Sequence, residues 1–208
     1  FMSNCTEVTS PFIVKREVKK VAVVVFASNT SLCGGFNANV IRHLVDLLTE
    51  YKPLGLENIL VFPVGKKVEE AADLAADLMK RFLHGDVDKV ELLYNHFKST
   101  ASQILTRETY LPIDLNNEKK EEERTIDYIL EPSAEELMQE MLPKVLRMKM
   151  FTVLLDSNAA EHAARTMAMQ IATDNANELL QELTVMYNKS RQQSITNELL
   201  DIVGGSMA

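Results

Sequence analysis

Apolar and polar positions follow two different rhythms along this chain. Up to about residue 131, short apolar runs take turns with amphipathic stretches, whereas residues 133–203 keep one helical period throughout. Residues 19–28 (KKVAVVVFAS) form a β-branched run bounded by charge, the pattern of a buried strand. Residues 37–52 then place Val40, Leu44, Leu47 and Leu48 on one helical face. A second strand is predicted over 58–64 (NILVFPV), with Pro63 pointing to a sheet edge or a strand end. The next helix covers 66–82, with Val68, Ala71, Ala72, Ala75, Leu78 and Met79 turned inward. Residues 90–98 and 108–113 read as further strands, with a short helix over 99–105 between them. A charged loop at 116–124 and a last strand at 125–131 complete the series. Strands that alternate with helices imply an α/β fold with a largely parallel, Rossmann-like sheet. The predicted division is an irregular polar leader at 1–18, an α/β domain at 19–131 and a helical rod at 132–208.

The rod has its own start signal. Ser133 followed by Glu136 is a capping box, with Pro132 just outside it, and Gly204-Gly205 offer a stop. Pro143 is expected to end a short first helix or to kink a longer one. About sixty residues without a breaker follow, roughly 90 Å of helix at 1.5 Å per residue. Leu137, Met141, Val145, Met148, Thr152, Leu155 and Ala159 begin a three-and-four spacing that continues through Met169, Leu179, Leu183 and Met186. That is the narrow seam of a coiled coil, and its alanine-rich middle allows a partner helix to approach closely. Asn188 to Glu198 is almost wholly polar, which by period alone is a solvated helix end.

Composition narrows the functions more than it names them. A net charge of −8 argues against nucleic acid as the main partner. The longest fully apolar run, residues 21–27, is too short to span a bilayer. Cys5 and Cys33 make neither a disulfide framework nor a metal site, which favours a reducing compartment. His43, His84, His96 and His162 lack metal-ligand spacing, and Glu161-His162 lacks the second histidine of H-E-x-x-H. The turn at Gly34-Gly35 resembles a phosphate-binding loop but has neither G-x-G-x-x-G nor G-K-[ST]. No nucleophile–base pair stands out, so the expectation is a non-catalytic chain without cofactor or metal. A nucleotide-binding α/β enzyme with a coiled-coil oligomerisation arm stays open as the alternative.

The residues of the rod carry a more specific signal. EHAARTMAMQIATDNANELLQELTVMYNKSRQQSITNELLDIVGG (161–205) contains ATDNA, YNKSRQ and ITNEL in order, and LCGGFNANV stands at 32–40. Together these resemble the gamma subunit of F-type ATP synthases, the central rotor shaft, and the resemblance runs from about Lys15 onward. It implies a chain that couples ion-driven rotation of a membrane ring to the conformational cycle of catalytic beta subunits. The implied beta-subunit contacts are Arg191 and Gln192, with Thr196 and Glu198 on the same surface, Arg165 at the shaft boundary and Cys33 on a partner-facing loop. Leu199, Ile202 and Val203 are the implied apolar tip, and Asp127, Tyr128 and Glu131 the foot on the ring. The implied partners are alpha and beta subunits of the catalytic hexamer, an epsilon subunit and the ring of c subunits. The implied location is peripheral, at the cytoplasmic face of a bacterial inner membrane. Two departures stand out. The family's long N-terminal helix, antiparallel to the C-terminal one, is expected to be missing here, so the isolated chain is expected to self-associate through the rod. Asn29-Thr30-Ser31 also stands where the family carries Asp-Arg-Gly.

Overall fold

A computed structural model describes residues 10–65, 67–113 and 133–206 of the chain. Its elements are β1 (Val21–Phe26), α1 (Phe36–Tyr51), β2 (Ile59–Val64), α2 (Val68–His84), β3 (Lys89–Ser99), β4 (Ser102–Leu111) and α3 (Ala134–Ser206). The chain falls into two compact units, Phe1–Arg165 and Thr166–Ala208, so α3 contributes to both.

In the first unit the four strands lie in the order β2-β1-β3-β4. β1 pairs in parallel with β2 and with β3, while β3 and β4 are antiparallel. β1 is central and buried along all six residues, as a β-branched run without polar interruption requires. Its pleat feeds two cores. Ala22, Val24 and Phe26 face α2 and the early part of α3, together with Leu78, Phe82, Leu142, Met150 and Leu154. Val21, Val23 and Val25 face α1 through Val40, Leu47 and Tyr51. The sheet is thus covered on both faces. β2 takes an edge of the sheet, and Pro63 within it pairs with Val25.

Three sequence expectations need correction. On α2, Val68 and Ala72 are exposed where an inward position was expected: Val68 opens the helix, and Ala72 lies about 100° round from the buried Ala71. No helix forms at 99–105. β3 and β4 make a hairpin with Ser99 opposite Ser102, because cross-strand pairing of the alternating residues His96–Ile104 and Tyr94–Thr106 outcompetes a single isolated helical turn. Of the two outcomes expected at Pro143, the end of a short helix is not the one found: α3 continues through it, with Leu142 and Leu146 beside it buried. Gly204 and Gly205 also lie inside α3, since glycine takes up helical angles at a cost of about 1 kcal/mol each. The hydroxyl half of the capping box forms: Ser133 Oγ accepts from the Glu136 N–H at 3.3 Å. The loop at 116–124 and the strand at 125–131 lie outside the described residues, as do Cys5 and Pro132.

The early part of α3 has two faces where a single seam was expected. Met138, Leu142, Leu146, Met150, Val153 and Leu154 are buried in the first unit. The seam positions Met141, Val145, Met148 and Leu155 are exposed. Polar ties fix the buried face. The Tyr110 hydroxyl donates to the Leu146 carbonyl at 2.9 Å. Asp156 accepts from the Phe97 N–H at 2.9 Å and contacts His96 Nδ1 at 2.6 Å. In the second unit every residue of α3 from Met169 to Ser206 is exposed.

Candidate functional site

The turn between β1 and α1 is the best-defined polar assembly in the first unit. Asn37, in the first turn of α1, reaches back to Ser28: its Oδ1 accepts from the Ser28 N–H at 2.9 Å and its Nδ2 donates to the Ser28 carbonyl at 3.1 Å. The chain then passes over α3. Arg165 Nη2 donates to Thr30 Oγ1 and to Glu161 Oε1, both at 2.5 Å, and Arg165 Nε lies 3.5 Å from the Ser31 carbonyl. Thr30 Oγ1 lies 3.3 Å from the same Glu161 oxygen, so the carboxylate, 2 % exposed, gathers both groups. A buried carboxylate is tolerable only with such partners.

This is the stretch, Asn29-Thr30-Ser31, at which the resemblance implied a departure. The Thr30 hydroxyl here joins the ion pair between Glu161 and Arg165. The i,i+4 spacing of that pair was visible in EHAAR, but its link to Thr30 across the chain was not.

The residues after the turn divide sharply. Cys33 is buried against Phe36 and Ala160, with its thiol 3.7 Å from the Thr30 carbonyl. Leu32 beside it is 69 % exposed and has φ 67°, in the left-handed region. That conformation costs a leucine about 1–2 kcal/mol, because Cβ crowds the following carbonyl. Nothing in the sequence signals it. Gly34 shares the left-handed conformation at φ 59°, and Gly35 caps α1. In nucleotide-binding α/β domains a crevice opens beyond the carboxyl ends of the parallel strands. Here that position is filled by Cys33, Phe36, Ala160 and Ala164.

A second polar cluster ties α1 to the hairpin. Glu91 on β3, 2 % exposed, accepts from Arg107 Nε at 2.9 Å and Nη2 at 3.0 Å, from the Tyr51 hydroxyl at 2.8 Å, and pairs with Lys89 at 2.7 Å. Arg107 also binds Glu50 through Nη1 at 2.5 Å. Burial pushes the Glu91 carboxyl up, but the hydrogen bonds from Arg107, Lys89 and Tyr51 outweigh it and hold it below the usual carboxylate range. The Arg107 hydrogen bond likewise holds Glu50 down. Every charge in this cluster is matched, which marks it as a clamp between elements.

In the second unit Arg191, Gln192, Thr196 and Glu198 are all exposed on α3, and the Thr196 hydroxyl donates back to the Gln192 carbonyl at 2.8 Å. Gln192 and Thr196 share a face by their i,i+4 spacing. Leu199, Ile202 and Val203 are exposed as well. Asp127, Tyr128 and Glu131 lie outside the described residues. Among the described residues no group of histidine, cysteine and acidic side chains could hold a metal ion, and no helix is long and apolar enough to cross a membrane.

A mostly parallel sheet in a chain that ends in a helix of 73 residues is a fold shared with solved ATP synthase chains. The Euglena gracilis mitochondrial ATP synthase assembly of OSCP, F1 and c-ring contains a chain of this fold, with TM-score 0.61 and 22 % identity over 92 % of this chain and 73 % of that one. The Tetrahymena thermophila mitochondrial central stalk and c-ring holds another, with TM-score 0.55 and 20 % identity over 83 % of each. The ATP synthase family profile matches residues 1–73 and 66–208. The ATP synthase gamma chain of Phocaeicola vulgatus is 70 % identical over all of this chain and 81 % of its own length, and that of Bacteroides thetaiotaomicron is 54 % identical over the same shares. The chain belongs to the ATP synthase gamma chain family.

The match to the Phocaeicola vulgatus chain runs over 234 aligned positions, more than the 208 residues present here, so that relative carries internal residues without counterparts in this chain. The two profile matches overlap at residues 66–73.

Proposed function

We propose that this chain is the rotating shaft of its synthase, turned by an ion-driven ring and driving the catalytic subunits through their binding states. The observation that carries this reading is the surface of α3 in the second unit. Leu179, Leu180, Leu183, Met186 and Tyr187 are all more than half exposed, a density of apolar surface that is stable only against partners. On this reading the partners are alpha and beta subunits of a catalytic hexamer around the end of the helix, an epsilon subunit, and a ring of c subunits, a set that membership of the family favours. On this reading ATP chemistry stays on the beta subunits, and the chain is a peripheral component at the cytoplasmic face of the membrane.

Coupling of this kind is a difference in contact energy between states: at each angle the shaft favours one conformation of a catalytic site. Arg191 suits the task, because its planar fork engages carboxylates or carbonyls and releases them again. Leu199, Ile202 and Val203 give a bearing surface with few directional bonds, so no single angle is favoured there. On this reading Asp127, Tyr128 and Glu131 are the residues that contact the ring, by resemblance alone.

Co-expression with the alpha and beta subunits of a related synthase tests the reading. A hexamer carrying one copy of this chain, with ATPase activity, is the expected product. In the whole membrane-bound synthase, ring included, the double substitution Arg191→Ala, Gln192→Ala is expected to slow coupled turnover at least tenfold, about 1.4 kcal/mol of barrier, and to leave assembly intact. Unchanged coupled synthesis would remove those two residues from the contact. Alpha and beta subunits that assemble while this chain stays alone would remove the shaft itself.

A further inference from the structure

We infer that His96 and Asp156 form a proton-sensitive latch: gain of a proton by His96 fastens the outer half of the β3–β4 hairpin to α3, and loss of that proton loosens it.

The outer half of the hairpin has little else to hold it. β1 pairs with β3 only over residues 89–93. Beyond Leu93 the strand pairs with β4 alone, from Tyr94 opposite Thr106 to Ser99 opposite Ser102. A two-stranded ribbon is marginally stable in water. This one buries little at its tip, since every residue from His96 to Ser102 is exposed. Its order therefore depends on what α3 supplies.

α3 supplies Asp156. Its Oδ1 accepts from the Phe97 N–H at 2.9 Å, and its Oδ2 lies 2.6 Å from His96 Nδ1. A carboxylate only accepts, so Nδ1 carries the hydrogen and Nε2 is the nitrogen that gains or loses a proton. Both forms of the ring keep the bond. The protonated form places a positive charge against the carboxylate and turns a hydrogen bond into an ion pair. Imidazole is the side chain whose charge changes between pH 5 and 8. The ring is half exposed and the carboxylate largely covered, so the proton exchanges with solvent while its partner stays in place.

The neighbouring charged groups are constant over that range. Tyr94, two residues before His96, is pushed up to about 12, by burial first and then by Glu108 and Asp156, and stays neutral. On β4, Glu108 is engaged by Lys149 of α3 at 2.6 Å. Lys98 follows on β3, and lysine keeps its charge throughout. His96 is the group whose charge varies, and Asp156 is the group that reads it.

Amide hydrogen exchange on the full chain at pH 6 and pH 8, with rates corrected for the intrinsic effect of pH, tests the latch. Relative to the amides of β1, which report the core, protection over residues 95–105 is expected to be about two- to fivefold greater at pH 6, the worth of a partly exposed ion pair. His96→Gln is expected to give the looser value at both pH values. His96→Arg, whose charge is fixed, is expected to give the tighter value at both. Asp156→Asn is expected to abolish the pH dependence with His96 in place.

A parent chain with the same relative protection at pH 6 and pH 8 would overturn the latch. So would a pH dependence that survives in either His96 variant. Full pH dependence in Asp156→Asn would show that the proton acts through another partner, and would overturn it equally. None of these outcomes bears on the shaft reading.

Discussion

Glu91 shows how a single buried charge can organise its surroundings. Its carboxylate joins β3 to α1 through Tyr51 and to β4 through Arg107, and each bond it accepts is charge-assisted. Because the folded carboxyl titrates below its unfolded value, its stabilisation is fully present above the unfolded value of about 4.3 and is lost as pH falls through the lower folded one. Stability is therefore expected to be flat from neutral pH down to about pH 5 and to fall below that, as followed by thermal melts. Glu91→Gln is expected to cost roughly 2–3 kcal/mol at neutral pH and to flatten the acid limb. A variant that melts like the parent at every pH would show that the cluster contributes nothing net. Glutamate inside KVELLYNHF gave no hint of this in the sequence, because its partners come from residues 51 and 107, far along the chain.

At the scale of elements, α3 is the instructive case. The three-and-four spacing identified a helix with an apolar seam, and it picked out Leu155 as a member. The structure buries the neighbouring register instead: Leu154 is 1 % exposed and Leu155 48 %. Leu154→Ala is expected to cost about 2–5 kcal/mol by leaving a cavity between α3 and the sheet. Leu155→Ala is expected to change the stability of the isolated chain by less than about 0.5 kcal/mol. Urea unfolding of the two variants checks this, and equal losses would contradict the two-faced helix. Both faces were present in the sequence, yet a hydrophobic period cannot say which apolar face meets its own domain. The hairpin of β3 and β4 was missed for a related reason. Residues 99–105 contain no glycine to mark a tight turn, and pairing between Ser99 and Ser102 is decided across strands.

At the scale of the whole molecule, the exposed apolar residues of the second unit have a consequence in solution. The isolated chain is expected to self-associate through Leu179, Leu183 and Met186, so that its sedimenting mass rises with concentration. Leu183→Glu with Met186→Glu is expected to return it to a monomer. A parent chain monomeric at all concentrations would show that these residues are covered in some other way. Addition of alpha and beta subunits is expected to compete with self-association, since both would use the same surface.

By itself the sequence determined which segments are strands and which are helices, wherever the pattern lies in neighbouring residues: the β-branched run of β1, the amphipathic faces of α1 and α2, the Ser133 cap. It also carried the family, because LCGGFNANV and the run from Glu161 to Gly205 keep residue order as well as period. Only the tertiary structure decided which face of α3 is buried, that Cys33 turns inward while Leu32 turns outward, and that Thr30 meets Glu161 and Arg165. Each of these depends on two segments far apart in the chain arriving at one place. Local propensity records how a residue treats its own backbone, whereas burial and buried charge pairing depend on what arrives from elsewhere.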